Sequence, residues 1–387
     1  MANAMSILKT LDILMFKSLQ LHLLFILFTT QACVAQVLKN CFEAHIKYGN
    51  VKSLDSLTNE LVYGLPAKDF YLIGESHTFL ANNDFQYSLI KILHPLGVYN
   101  IVSEQPHAVC FLFNEYLETG EDSLLTLLKP SATYALLKKV RQFNNTQPPE
   151  KRMKYYGIDY LDADFDYENY LLALKIICTK IKLSKKLLDS FIKEMAQKET
   201  LNAENIKLLQ ATLHTQLAEE SNFYKVHYGK YYYDLLLMSV SMIGRATDRD
   251  SEVLENFRFL HKSLVETGNS NPKYLSFYGS GHLFNFGDML LFGNSSPVKG
   301  SVFRIAIQYI NCLGGWYWSK ESYRDIGLSS IKKKNLSDFI SYCKKQNWNV
   351  GLLTNTECLS FKKGRRPDAV LIFNNYGHKR MTSWKFD

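Results

Sequence analysis

Along this chain, short apolar runs stop abruptly at polar or glycine positions and give way to segments whose apolar residues recur every three or four positions. FYLIGESHTF, Phe70 to Phe79, is the sharpest case: the run ends at Gly74 and delivers Glu75, Ser76 and His77 in succession. VYNIVSEQP places Glu104 after Val102, KYYGID places Asp159 after Tyr156, and YLSFYGSGH places His282 after Tyr278. Between and before these runs, Phe85 to Leu93, Cys110 to Leu117, Ser123 to Val140 and a short stretch at Ser53 to Val62 have helical spacing. Continuous apolar runs alternating with helices predict an α/β fold, a mostly parallel sheet flanked by helices. Further strands are expected at Tyr274 to Tyr278, Val302 to Ile307, Asn349 to Leu353 and Ala369 to Phe373, which makes a sheet of about seven strands.

From about Asp166 to Val226 the strand signals vanish and Lys-rich helical patterns such as ALKIICTKIKLSKKLLDSFIKEM take over. The stretch reads as a helical insertion forming a lid over the carboxyl ends of the strands. Tyr231 to Val265 has no proline and one glycine, which predicts one long helix or two in line. On it Arg245, Arg249 and Asn256 share a face, either a salt-bridged exterior or a stripe aimed into the strand-end crevice. No internal repeat of solenoid length is present.

The N-terminus differs in kind. Met15, Phe16 and Lys17 precede LQLHLLFILF and TTQACVAQ: a basic residue, a short apolar core and a small residue at Ala35. This pattern reads as a secretory signal peptide over 1–35, with a single mature α/β domain over 36–387 exported to the periplasm or the exterior. The apolar core of about ten residues is shorter than the roughly twenty that span a bilayer. An uncleaved anchor, or lipidation of Cys33, is the alternative and would attach the N-terminus to a membrane; the leucine expected at the front of a lipoprotein signal is missing before Cys33.

Composition adds little to this. With 47% hydrophobic and 21% charged residues the chain is ordinary globular material, and the net charge of +8 is diffuse. Its densest pieces are Lys332 to Lys334 and Lys362 to Arg366; without an aromatic-interleaved basic array, nucleic acid is excluded as a partner. Oligomeric state is not fixed by the pattern. None of the cysteines is spaced as C-x-x-C, so the expectation is buried thiols and at most one bridge, with Cys343 and Cys358 near each other in the C-terminal part.

In an open α/β sheet the crevice beyond the carboxyl ends of the strands is where ligands bind. Glu75, His77, Glu104 and His282 are therefore candidate catalytic groups with Arg249, and Asp159, Asp250, Asn256 and Ser76 are candidate substrate-binding or supporting groups. Two readings of the imidazoles and carboxylates remain open. Without metal, a histidine takes a proton from water, a carboxylate fixes its tautomer, and the second histidine or Arg249 stabilises developing negative charge. With a divalent metal, Glu75, His77, Glu104 and His282 become ligands and a bound water becomes the nucleophile. A lone loop histidine is more often structural; it is placement at several strand ends that points to a site. Other patterns fail: DADFDYE has Tyr167 and Ala173 where a calcium loop needs glycine and glutamate. No G-x-S-x-G elbow exists, so Ser76 reads as a turn residue.

The order of Gly74 to Thr78, Glu104, Gly157 to Asp159, Arg249 to Asn256 and Gly279 to His282 resembles the superfamily that joins erythromycin esterase-like hydrolases, ChaN-like haem-uptake lipoproteins and the Tiki/TraB proteins. The resemblance spans roughly residues 68 to 375 and rests on G-E-x-H, N-x-Y-L-x-x-G at Asn114 to Gly120, R-D-x-x-x-x-x-N and G-x-G-H. It implies an α/β core with added helices and a strand-end cleft. For the esterase branch it implies metal-independent hydrolysis of a macrolide lactone by His77, Glu75, Glu104, Arg249 and His282. The sequence departs from that branch in two places. The esterases resemble G-E-x-x-H, whereas Glu75-Ser76-His77 has the ChaN-like spacing, and Leu254 replaces the usual methionine. The expectation is an exported hydrolase of an ester, lactone or amide bond in a small molecule, with no cofactor; the alternative is a haem- or metal-binding uptake protein using the same cleft.

Overall fold

The computed structural model describes residues 18–23, 36–37, 39–63, 67–77, 79, 81–128, 132–161, 164–181, 186–241, 248–314, 322–327, 333–359, 361 and 366–376. Cys33, the cleavage position Ala35, Arg245 and residues 362–365 lie outside them. Among the described residues nine strands form one sheet: β1 (Ile46–Gly49), β2 (Phe70–Glu75), β3 (Val98–Ser103), β4 (Lys154–Gly157), β5 (Lys273–Gly279), β6 (Val302–Gly314), β7 (Ser322–Ile326), β8 (Val350–Leu353) and β9 (Ala369–Asn374). Their order is β1-β8-β9-β6-β2-β5-β3-β4, with β7 added to β6. β2 lies between β5 and β6 and runs parallel to both; β3 is parallel to β4 and β5, and β6 to β9. β1, β7 and β8 run antiparallel to their neighbours.

The helices delimited are α1 (Leu54–Tyr63), α2 (Ala81–Leu93), α3 (His107–Thr119), α4 (Ala132–Asn145), α5 (Asp164–Lys180), α6 (Leu187–Ala196), α7 (Ala203–Glu219), α8 (Ser221–Tyr228), α9 (Tyr231–Ser239), α10 (Arg249–Glu266), α11 (Phe286–Phe292) and α12 (Lys333–Lys344). Every residue of β2 and β9 is buried, which is why these strands read as unbroken apolar runs. On one face Tyr71, Ile73, Ile101 and Ile305 pack with Leu61 of α1, Phe85 and Leu89 of α2, Phe113 of α3 and Leu137 of α4. On the other, Phe70, Leu72, Val102 and Tyr274 meet Phe257 and Leu260 of α10, Phe286 of α11 and Phe339 of α12. The helices of 166–226 and α9 bury a third core of their own, including Leu174, Leu188, Ile206, Leu213 and Leu235, which rests on Ala108, Phe111 and Leu112 of α3.

Several boundaries differ from the sequence reading. β1 is only four residues long and β7, SYRDI, has no apolar run, so neither carried a strand signal. β6 outruns β2, whose pairing with it ends at Ala306, and its later residues from Tyr309 to Gly314 pair with β7 instead. Ser123 to Val140 is not one helix but a 3-10 turn, Asp122–Leu128, followed by α4. Of the one long helix or two expected over Tyr231 to Val265, the described residues form two, α9 and α10. The disulfide joins Cys41 to Cys358 across 317 residues, while Cys343 is a buried free thiol. Among the described residues no helix is long and apolar enough to cross a membrane.

Candidate active site at the strand ends

The register sets Glu75 opposite Gly279 and Ser103 opposite both Phe277 and Gly157, so β2, β5, β3 and β4 end at one edge and deliver their next residues together. Glu75 is nearly enclosed at 7% side-chain exposure, whereas His77, two residues further, is 39% exposed. His77 Nδ1 donates to Glu75 Oε1 at 3.1 Å, and Gln86 Nε2 of α2 donates to the other carboxylate oxygen at 2.9 Å. Ser76 is fixed through its backbone: its N–H donates to the Tyr309 hydroxyl at 3.3 Å and its carbonyl accepts from Asn82 Nδ2 at 2.7 Å. The Tyr309 hydroxyl donates to Asn82 Oδ1 in turn, which closes the turn into a small ring of bonds.

Glu104 is the hub. Its Oε2 accepts from the Gly279 amide at 2.5 Å and from His77 Nε2 at 3.1 Å. Its Oε1 accepts from Arg249 Nη2 at 2.7 Å and lies 3.4 Å from His282 Nε2. Gly279 leaves the space for this: a Cβ there would stand 3.2 Å from His77 Nε2 and 3.5 Å from Glu104 Oε2. Gly157 does the same for the loop behind Glu104, since a Cβ on it would come within 2.4 Å of the Gln105 carbonyl oxygen. The Asp159 amide donates to that same oxygen at 3.2 Å.

Arg249, the first residue of α10, donates from Nε to Asp159 Oδ1 at 3.0 Å and from Nη2 to Oδ2, and its guanidinium lies 4.6 Å from the Tyr160 ring centroid. Its Nη1 is 3.1 Å from His282 Nε2, and Asp250 Oδ1 is 2.5 Å from His282 Nδ1. A guanidinium only donates, so Nε2 of His282 accepts from it and the His282 proton sits on Nδ1, toward Asp250. Asn256 Nδ2 donates to the Ile158 carbonyl at 2.9 Å and ties the same helix to the end of β4.

The charges set one another. Burial works against a charged His77, but hydrogen bonds to Glu104 and Glu75 outweigh it and raise the imidazole to about 10. Burial likewise opposes ionisation of Glu104, yet the His77 hydrogen bond and charge and the Gly279 amide bring it down to about 2. As the network stands, His77 is an imidazolium held by both nitrogens. Burial keeps the Asp159 carboxyl above its ordinary value although Arg249 pulls it down. The Tyr278 hydroxyl is buried with no hydrogen-bond partner among the described residues, and its ring stands edge-on to His282 at 5.6 Å.

Glu75, His77, Glu104, Asp159, Arg249, Asp250 and His282 thus form one connected network, with Ser76 and Asn256 holding its backbone. The sequence reading passed over Gln86 and Tyr160. The signal for Gln86 is its spacing four residues after Asn82 on α2: two amides on one helical face, both bonded to the loop at Glu75 and Ser76. A metal held by Glu75, His77, Glu104 and His282 would need their ligand atoms to converge on one point. Instead His77 is spanned between two carboxylates and the Arg249 guanidinium supplies the positive charge between Glu104 and His282, so this arrangement is a paired network and not a cation cage.

No family model matches the chain, and no curated protein matches it. Solved structures that share the fold include a protein from Bacillus cereus, at 14% identity and a TM-score of 0.56 over 88% of this chain and 97% of that one. A succinoglycan biosynthesis protein is similar at 13% identity and a TM-score of 0.58, over 88% and 97% of the two chains. A mutant of erythromycin esterase EreC in its open conformation is similar at 12% identity and a TM-score of 0.56, over 87% of this chain and 99% of that one. The fold is similar to that of an erythromycin esterase. At these identities the likeness is one of fold.

Proposed function

We propose that the chain is a hydrolase that cleaves an ester, lactone or amide bond in a small molecule through water activated at the strand-end network. The observation that carries the reading is Glu104 standing between His77 and His282, at 3.1 Å and 3.4 Å, on a fold similar to that of erythromycin esterase. His77 is the more exposed of the two imidazoles, 39% against 18%, and takes the part of general base. Glu75 keeps the Nδ1 proton and fixes the tautomer; Nε2, protonated in the resting network, must first lose that proton to solvent and turn from Glu104 before it accepts one from the attacking water. Arg249 already holds the other oxygen of Glu104, so that carboxylate stays paired when His77 turns away. As water adds to the carbonyl, the Arg249 guanidinium faces the developing oxyanion, and His282, steadied by Asp250, accepts from that guanidinium and holds it in place. No step requires a cofactor. The leader sequence adds the address of an exported protein, periplasmic or extracellular.

The test is turnover of a panel of chromogenic esters, lactones and amides. His77→Ala is expected to lose roughly 10^2- to 10^4-fold in rate with an unchanged circular dichroism spectrum. Turnover unaffected by His77→Ala sinks the reading. A haem titration run beside it decides the alternative: a Soret shift that needs His77 and His282, without hydrolysis, makes the cleft a ligand carrier.

A further inference from the structure

At the sheet edge opposite the strand-end network lies a second group with ligand chemistry. β8 runs antiparallel to β9, so its carboxyl end and the turn Thr356–Cys358 beyond it sit where the parallel strands begin. Ile46 of β1 pairs with Leu353 at that edge, and His45 immediately precedes it; Asn355 Nδ2 is 3.5 Å from His45 Nε2. Cys41 comes four residues before His45 in helical backbone, so the two share a helical face. The ligand atoms of Cys41, His45 and Cys358 all lie within 4.8 Å of one another.

We propose that Cys41, His45 and Cys358 form a redox-gated metal site: in the oxidised chain the sulfurs are joined, and after reduction two thiolates and the imidazole bind one Zn2+-like cation, leaving a fourth position to water. Reduction by a dithiol transfers two electrons and two protons to the sulfur pair, and the dithiol leaves as its own disulfide. Binding the cation then releases the two thiol protons. Thiolate and imidazole select a borderline-soft cation over calcium or magnesium. Zinc bonds of about 2.3 Å to sulfur and 2.0 to 2.1 Å to nitrogen put tetrahedral ligands about 3.5 to 3.8 Å apart. That spacing falls inside the 4.8 Å span the three groups already keep, so side-chain rotation suffices.

Contacts other than the bridge hold the same segments: β1 pairs with β8, Phe42 is buried against Phe339 at 5.2 Å, and Thr356 Oγ1 donates to the Pro367 carbonyl at 3.0 Å. His45 is exposed and Cys41 half-buried, which gives reductant and cation an approach.

The experiment uses the full chain, reduced with a phosphine that adds no sulfur ligand and titrated with Co2+ as a coloured stand-in for Zn2+. Reduced protein is expected to show thiolate-to-cobalt and tetrahedral d–d bands saturating near one equivalent and displaced by Zn2+; oxidised protein and Cys41→Ser are expected to show neither. His45→Ala should weaken binding at least as much as the roughly 10- to 100-fold that loss of an outer-shell partner costs, and Cys343→Ser should leave the bands intact. A reduced chain that matches Cys41→Ser, unchanged affinity in His45→Ala, loss of the bands in Cys343→Ser, or unfolding on reduction would each overturn the proposal.

Discussion

Glu104 Oε2 lies 3.1 Å from His77 Nε2, and the two residues shift each other's proton affinity in opposite directions. Burial disfavours the imidazolium, but the hydrogen bonds to Glu104 and Glu75 prevail and lift His77 from 6.5 to about 10. A raised folded-state value stabilises the fold fully below pH 6.5, and the contribution is lost as pH rises through about 10. Glu104 is the reverse case: burial is overcome by His77 and the Gly279 amide, the value falls from 4.5 to about 2, and the stabilisation is complete above 4.5 and lost as pH falls through about 2. The melting temperature is therefore expected to be highest between pH 4.5 and 6.5 and to fall on both sides. His77→Asn should flatten the alkaline decline in a fluorimetric melting series. A decline of equal size in that variant would show that another group causes it.

Arg249 and Asp159 make the most enclosed ion pair of the network, with side chains 15% and 3% exposed. Arg249→Met leaves Asp159 and Glu104 without their shared cation, and unpaired buried charge costs about 3 kcal/mol or more. A lower melting temperature follows. Arg249→Lys should recover only part of it, because an ammonium cannot copy the two parallel bonds to Asp159. Adding Asp159→Asn to the methionine variant removes the uncompensated charge and should return stability. If the lysine variant melts with the wild type, the two-pronged geometry contributes nothing.

What was legible in the sequence follows from the burial of the strands. β2 has six consecutive buried residues that end in Glu75, so its last side chain and the polar groups after it can only emerge at the sheet edge, and Glu75 and His77 stand out for that reason. Glu104, Asp159 and His282 were visible in the same way. β1 and β7 were not, because their strand character comes from partners distant in sequence: Ile46 pairs with Leu353 and Tyr309 with Ile326. The Cys41–Cys358 bridge was hidden for the same reason, since nearness in sequence pointed to Cys343 while the β1–β8 pairing brings in Cys41. Which oxygen of Glu104 meets which nitrogen is set by register and by Gly279, and no local pattern encodes it.

Gly279 should be irreplaceable for function though not for folding. Its backbone dihedral does not require glycine, but an alanine Cβ would stand 3.2 Å from His77 Nε2, closer than ordinary contact. His77 sits at the open side of the network and can move, so Gly279→Ala is expected to lower the melting temperature only slightly while displacing the imidazole from Glu104. The check is paired: a melting curve near wild type, with hydrolysis reduced at least tenfold, about 1.4 kcal/mol of transition-state stabilisation. Unchanged turnover would mean that the resting position of the His77 imidazole, set by Gly279, does not govern the reaction.

The pH–rate profile decides what His77 does. If it is the base, the reactive form lacks the Nε2 proton, and free enzyme in the resting arrangement reaches that form only as pH approaches about 10. kcat/KM should therefore rise with pH through the alkaline range; a group acting as an acid would give a fall there instead. Glu104→Gln removes one of the two carboxylates that hold the proton, so the His77 pKa drops and the rising limb moves to lower pH. Gln86→Ala leaves both carboxylates in place and removes only a donor to Glu75, so it should move the limb far less. A limb that falls with pH in the wild type, or one that stays put in Glu104→Gln, would take the base role away from His77 and leave the Asp250–His282 pair, whose Nε2 already accepts from Arg249, as the group to which water gives its proton.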